Sequence, residues 1–277
     1  MKPPESHRIT SLTGESATPL GLAGHPEQDA RCIARAAEQG INYFFFYGPE
    51  PGEFGKALVP LLRKRRDEVI VASGSGSRKR GTLLSARRKI LSGLGIETLD
   101  IFFAEYIHPG DDNESIFGPG GVLDELAAWK AEGVVRYVGA TAHERKLSRK
   151  LAADPRVDVL MHRFNMAHRK AATEVFPEAM RAKTPIVAFT ATRWQTLFNA
   201  PAGWTDSPPS ATDCYRYCLA EPAVQVVLTS PRTVKQLEEN LAVLAAPPLS
   251  RREMSHWERF GDLIHGAGAD SFETKWQ

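Results

Sequence analysis

The residues with the clearest chemical potential stand together in residues 224–241, VQVVLTSPRTVKQLEENL. Val224, Val226, Val227 and Leu228 form an apolar run bounded by Pro222 and by Ser230-Pro231, the pattern of a short parallel strand covered on both faces. Thr229, Ser230 and Arg232 lie where that strand's carboxyl end gives way to a helix amino terminus, so backbone N–H groups, hydroxyls and a guanidinium converge on one place. A phosphate suits it. One turn in, Gln236 and Asn240 share a helical face and suit a ribose or an adenine edge. The plainer reading of the same residues is an ordinary first helical turn with a solvated polar face.

Two other strings carry chemistry-bearing side chains. Gly74-Ser-Gly-Ser-Arg-Lys-Arg80 resembles a phosphate-cradling loop but lacks the Gly-Lys-Ser/Thr ending of a P-loop and is no Rossmann fingerprint, so it reads as a flexible basic loop. By strand order it sits beside the active-site mouth, where Arg78 and Arg80 would attract an acidic substrate or a cofactor phosphate. His108, His143, His162 and His168, with Glu105 and Asp111, match no zinc-ligand spacing, and no metal is expected.

Stepping outward to the whole chain, 277 residues with 42% apolar and 25% charged content support a sizeable core. A formal net charge of +2, spread along the chain, gives no reason to expect nucleic acid or an anionic membrane as a partner. No apolar run approaches the ~20 residues of a membrane span, and MKPPESHRIT lacks the apolar core of a signal peptide. The expected setting is cytoplasmic, the expected partner a small-molecule substrate. Cys32, Cys214 and Cys218 fit a reducing compartment, and the last two, at i and i+4, read as a helix face rather than a metal clip.

The elements that must position these residues alternate regularly. Strands are expected at about 18–24, 41–46, 69–73, 99–104, 134–141, 157–161, 186–190 and 224–228, with helices at about 27–39, 53–65, 83–94, 122–132, 144–153, 172–182 and 212–220 between them. Eight strand-helix units within roughly 230 residues are the signature of a (β/α)8 TIM barrel. One α/β domain spanning 1–277 is expected, with a polar leader at about 1–16 and an outer helix at about 251–264. The longest irregular connections, 107–121 and 193–210, follow the fourth and seventh strands at the face where barrels build active sites. The second, with Trp194 and Trp204, suits either a loop folded over a ligand or a plain surface loop.

Six strings in register resemble the aldo-keto reductases: Gly40-Ile-Asn-Tyr-Phe with Tyr47-Gly48, Phe54-Gly-Lys-Ala-Leu58, Leu99-Asp-Ile-Phe, Val134-Val-Arg-Tyr-Val-Gly139, Arg163-Phe-Asn165 and Gln236-Leu-Glu-Glu-Asn-Leu241. The resemblance covers about residues 17–245 and implies an NADP(H)-dependent oxidoreductase. It assigns the 2′-phosphate and ribose of NADPH to Ser230, Arg232, Gln236 and Asn240. It places Phe189 against the nicotinamide ring, where the family has a tyrosine, Thr190 beside the pyrophosphate, and Thr141 where a Ser-Asn pair begins.

The resemblance also locates the catalytic positions, and there this chain departs from the family. Tyr47 matches the proton-donating tyrosine, on a shortened segment. Phe45 stands at the aspartate position, Gly74 at the lysine position, Glu105 at the histidine position, and Met161 replaces a glutamine. A tyrosine of pKa about 10 donates reluctantly near neutral pH without the Lys-Asp pair. Glu105, buried at the mouth against Phe45, Phe46 and Phe103, would shift toward its neutral form and donate a hydrogen bond. Family members that reduce steroid carbon-carbon double bonds also carry Glu there. The reading is therefore reduction of a carbonyl or activated double bond, with Tyr47 as proton donor and Glu105 holding the substrate oxygen. A barrel that binds a nucleotide or metabolite without hydride transfer is the alternative, and the sequence leaves the oligomeric state open.

Overall fold

The structure, a computed structural model, describes residues 8–266. Eight parallel strands close into a barrel in chain order: β1 Leu20–Ala23, β2 Tyr43–Phe45, β3 Ile70–Ser75, β4 Leu99–Ile107, β5 Val135–Ala142, β6 Val159–Arg163, β7 Ile186–Phe189 and β8 Val224–Thr229. The expected (β/α)8 architecture is the observed one. The strands are apolar on both faces because each lies between two layers. Alternation sends Tyr43, Phe45, Ile101, Phe103, Met161 and Val226 into the barrel, and Phe44, Phe102, Leu160 and Val227 under the surrounding helices.

Phe103 dominates the interior. A Cβ at Gly139 on β5 would come within 2.3 Å of its ring, and a Cβ at Gly74 on β3 would strike its backbone carbonyl and stand 2.9 Å from its own Cβ. Phe45 meets the same ring edge-on, with centroids 5.9 Å apart. Gly74, which the resemblance aligns with a lysine, stands where β3 and β4 approach too closely for a side chain.

Several boundaries differ from expectation, each for a local reason. The first helix starts at Arg31 rather than near Glu27. Gln28 and Asp29 are instead tied across the barrel end, Gln28 Nε2 donating to the Pro231 carbonyl at 2.9 Å and Asp29 N to the Arg232 carbonyl at 2.9 Å. The expected helix at 172–182 is two pieces, Ala171–Glu174 and Phe176–Ala182, because Pro177 has no N–H to continue the ladder. The connection 107–121 contains a helical turn, Asn113–Phe117, capped by Asp112. The outer helix runs Arg251–His265 from a Ser250 capping box.

The polar leader is more than a leader where it is described. Thr10 bridges Ser16, and Ile9 is fully buried in the inner barrel cluster, so this segment plugs the amino-terminal end of the barrel. Asp100 anchors that end: its buried carboxylate pairs with Arg66 at 2.9 Å and Arg136 at 2.7 Å and accepts the Val71 N–H. Arg136 in turn donates to the Thr10 and Ser11 carbonyls.

Gly74→Ala is expected to cost about 1–3 kcal/mol of unfolding free energy by overpacking against β4. The measurement is a lower denaturant midpoint at unchanged m-value. An unchanged midpoint would show that the two strands can part.

Candidate active site

The carboxyl end of the barrel brings Tyr47 and Glu105 together. Glu105 continues the inward alternation of Ile101 and Phe103 on β4 and is 4% exposed. Its Oε1 accepts the Gly48 N–H at 3.1 Å, while Ser73 Oγ donates to the Gly48 carbonyl at 2.8 Å. The turn carrying Tyr47 is thus gripped on both sides at Gly48, whose φ of +70° suits glycine.

Sequence reasoning missed Tyr106. Pairing with β5 skips from Ala104↔Ala140 to Ile107↔Ala142, a bulge that inserts one residue into β4 and leaves Tyr106 at φ +50°. The bulge throws the Tyr106 ring over the mouth, where it stacks on Tyr47 at 5.8 Å and on His143 at 5.8 Å. The two phenols lie close enough for Tyr106 to influence the ionisation of Tyr47. Nothing in the residue types around Glu105 signals a bulge.

The electrostatics follow from this dry surrounding. Burial raises the Glu105 carboxyl from 4.5 to about 7, against the lowering effects of the Gly48 N–H and Arg78. Tyr47, although 42% exposed, is raised above its ordinary value, chiefly by desolvation among the rings at the mouth and then by Tyr106 and the Glu105 charge. Gly74, which the resemblance aligns with a lysine, carries no charge to offset this.

The cofactor wall assigned by resemblance has groups that fit a nicotinamide dinucleotide. The hydroxyls of Thr141, inward on β5, and Thr190, just past β7, are buried and have no hydrogen-bond partner among the described residues. Buried hydroxyls left open in this way are ready to bond an incoming polar ligand. Phe189 stands at the end of β7, edge-on to His143 at 5.4 Å. Met161 is buried in the inner cluster and supplies no amide. His162 turns the other way, bonded through Nδ1 with Ser148 Oγ and the Ala142 carbonyl, both at 3.0 Å, and burial lowers its pKa to about 3. It is a neutral structural residue and does not help hold a carboxamide.

At the phosphate end, the structure separates residues that the sequence grouped. Ser230 and Arg232 face solvent; Arg232 is paired with Glu27 at 3.3 Å. Gln236 Oε1 accepts the Arg232 N–H at 2.8 Å, and Thr233 caps the Gln236 N–H, so these two amides are not available to an anion. Asn240 lies on the buried face of helix Val234–Leu241, and its Nδ2 donates to Thr229 Oγ1 at 2.8 Å. Tyr215 bonds the same hydroxyl at 2.8 Å. Thr229 and Asn240 therefore form a buried brace behind the turn rather than a ribose contact.

The basic loop after β3 is latched. Arg78 donates to the Glu105 carbonyl at 2.9 Å and pairs with Asp111 at 3.0 Å, and Arg80 pairs with Glu125. Trp204 packs on the outer helix, 5.1 Å from Phe260, which fixes that part of the 193–210 loop away from the mouth. Among the described residues no group of three or more His, Cys, Asp or Glu side chains is placed to hold a metal ion, and no helix is long and apolar enough to cross a membrane.

The raised Glu105 carboxyl links folding to pH. A folded pKa of about 7 against an ordinary 4.5 means that its proton favours the folded state; this stability is complete below about pH 4.5 and lost as pH rises through about 7. Glu105→Gln is expected to flatten the pH dependence of unfolding free energy in that window, removing a fall on the order of 3 kcal/mol. Coincident pH–stability curves for the two proteins would overturn the burial argument.

Comparison with known proteins agrees with the fold. The family model "Aldo/keto reductase family" matches residues 19–201. A curated relative, the uncharacterized oxidoreductase YqkF of Bacillus subtilis, is 22% identical over 85% of this chain and 88% of its own. Among solved structures, the holo form of aldo-keto reductase AKR11C1 from Bacillus halodurans superposes with a TM-score of 0.73 at 17% identity, covering 92% of this chain and 96% of that one. A thermostable aldo-keto reductase, Tm1743, in complex with the inhibitor epalrestat gives a TM-score of 0.69 at 18% identity, covering 91% and 98%. The chain belongs to the aldo/keto reductase family and is an oxidoreductase of that general class.

Proposed function

We propose that this oxidoreductase uses NADPH to reduce a carbonyl or an activated carbon-carbon double bond, with Tyr47 as proton donor and Glu105 as the buried carboxyl that holds and tunes it. The observation that carries the reading is Glu105 itself: an inward carboxyl with a pKa of about 7, bonded to the amide next to Tyr47. A proton-handling group works best with a pKa near the operating pH.

When bound, a nicotinamide dinucleotide supplies the hydride. Thr141 and Thr190 would meet its carboxamide and pyrophosphate, Phe189 would back the ring, and Ser230 and Arg232 would meet the 2′-phosphate by charge-assisted hydrogen bonds. Gln236 holds the Arg232 turn, and Asn240 acts at one remove through Thr229.

Tyr47 is the exposed member of the pair and the one that reaches substrate. The sequence reading put Glu105 on the substrate oxygen; at 4% exposure it lies behind Tyr47 and acts through it. Its ionised form raises the Tyr47 pKa, whereas its neutral form leaves the phenol easier to deprotonate. Transfer of the phenol proton to the substrate oxygen leaves Tyr47 as a tyrosinate beside the stacked Tyr106 ring. An enone needs the same polarisation at its oxygen.

Fluorescence titration with NADPH and NADH, followed by a panel of aldehydes, ketones and enones, tests the reading. NADPH is expected to bind more tightly, and Arg232→Ala to remove about 10- to 100-fold of that preference; equal affinities would count against the 2′-phosphate assignment. Tyr47→Phe is expected to lower turnover about 10²–10⁴-fold, and wild-type turnover to fall above about pH 7, where Glu105 ionises. Full activity in Tyr47→Phe would refute the donor assignment, and a Glu105→Gln rate and pH profile matching wild type would remove Glu105 from it.

A further inference from the structure

The groups that the cofactor reading assigns to a nicotinamide are covered. Thr141 is 2% exposed and Phe189 5% exposed, and the Thr190 hydroxyl is buried. The strand registers show what lies over them. Thr141 pairs with Met161 and Met161 with Val187, which makes one inward layer, and Arg163 pairs with Phe189 one layer nearer the mouth. His143, two residues past Thr141, falls in that upper layer, and its ring stands edge-on against Phe189 at 5.4 Å.

A second ring extends the cover. Tyr106 lies nearly parallel to His143, with centroids 5.8 Å apart and planes 5° apart, and stacks on Tyr47 at 5.8 Å and 16°. Ring contacts therefore run unbroken from Phe189 through His143 and Tyr106 to Tyr47. Hydride transfer needs that same span, because the reacting atoms must come within about 3–3.5 Å of each other. A nicotinamide against Phe189 and a substrate whose oxygen meets Tyr47 would take the place of the two middle rings. Both of these can leave without opening the core. His143 follows the last residue of β5, Tyr106 is 45% exposed, and neither belongs to the two buried apolar clusters. The bulge also holds Tyr106 at φ +50°, a region that tyrosine rarely adopts, and strained residues of this kind collect at segments that switch.

We infer that His143 and Tyr106 form a plug that closes the barrel mouth, and that a nicotinamide ring reaches its wall only after both side chains swing outward. The plug rests on the cofactor reading above. It lowers affinity, because a site open for only a fraction of the time binds more weakly by that fraction. Ser230 and Arg232 face solvent past β8, outside the plug, so a nucleotide without the nicotinamide half does not feel it.

The test is fluorescence titration of NADPH into wild-type protein and the variants Tyr106→Ala, His143→Ala and Tyr106→Phe, with calorimetric titration of adenosine 2′,5′-bisphosphate alongside. Each Ala variant is expected to bind NADPH about tenfold more tightly, as for a plug closed about nine-tenths of the time. Tyr106→Phe keeps the ring and is expected to match wild type, and none of the variants is expected to gain affinity for the bisphosphate. Equal or weaker NADPH binding in either Ala variant overturns the plug and leaves the cofactor reading standing. A parallel gain for the bisphosphate also overturns it, because the change is then a general loosening. NADPH binding to none of the four proteins overturns the cofactor reading, and the plug with it.

Discussion

Phe103 of β4 packs its ring over Gly139 of β5 and its backbone against Gly74 of β3, and the barrel mouth above inherits a dry floor from that packing. Phe45 completes the floor from β2. Phe45 and Gly74, which the resemblance aligns with an aspartate and a lysine, both belong to this one close packing around Phe103. A charged side chain set into this floor would need solvation that the close-packed rings do not offer. The remaining ionisable group, Glu105, feels the same dryness as a raised pKa.

Two carboxylates on β4 show how the two ends of the barrel differ. Asp100, at the amino-terminal end, has two guanidinium partners and a backbone donor, and one of them, Arg136, also holds the plug at residues 9–17 through the Thr10 and Ser11 carbonyls. That arrangement serves stability. Glu105, at the carboxyl end, receives a single amide hydrogen bond at 3.1 Å, while Arg78 bonds its backbone carbonyl instead. An acid left short of partners titrates near neutrality, which suits a mouth that handles protons. The β4 bulge makes this division possible, because it keeps Glu105 inward and throws Tyr106 outward over Tyr47.

The wall and the turn that the resemblance assigns to a cofactor share a pattern in which some polar groups are already committed and others stay open. Thr229, Tyr215 and Asn240 bond one another behind the turn, and Gln236 closes it. These interactions fix Ser230 and Arg232 at a solvent-facing edge. Thr141 and Thr190, by contrast, keep buried hydroxyls without a partner among the described residues. Because an unmet buried hydroxyl costs free energy, this wall gains more from a polar ligand than a fully bonded one would.

The barrel itself was legible in the sequence, since strands covered on both faces and helices with one apolar side leave period-2 and period-3.6 patterns that survive without knowledge of the partner surface. Tyr47, Glu105 and the turn after β8 could be singled out as candidates, because each lies at a strand end that the pattern marks. What the tertiary structure alone decided were interactions between residues far apart in the chain. Phe103 explains Gly74 and Gly139 only once three strands are side by side. Asn240 turns inward only because Thr229 and Tyr215 meet it, and Gln28 leaves its expected helix only because Pro231 lies across the barrel end. The Tyr106 bulge depends on the register between β4 and β5, a property of pairing that neither strand carries by itself.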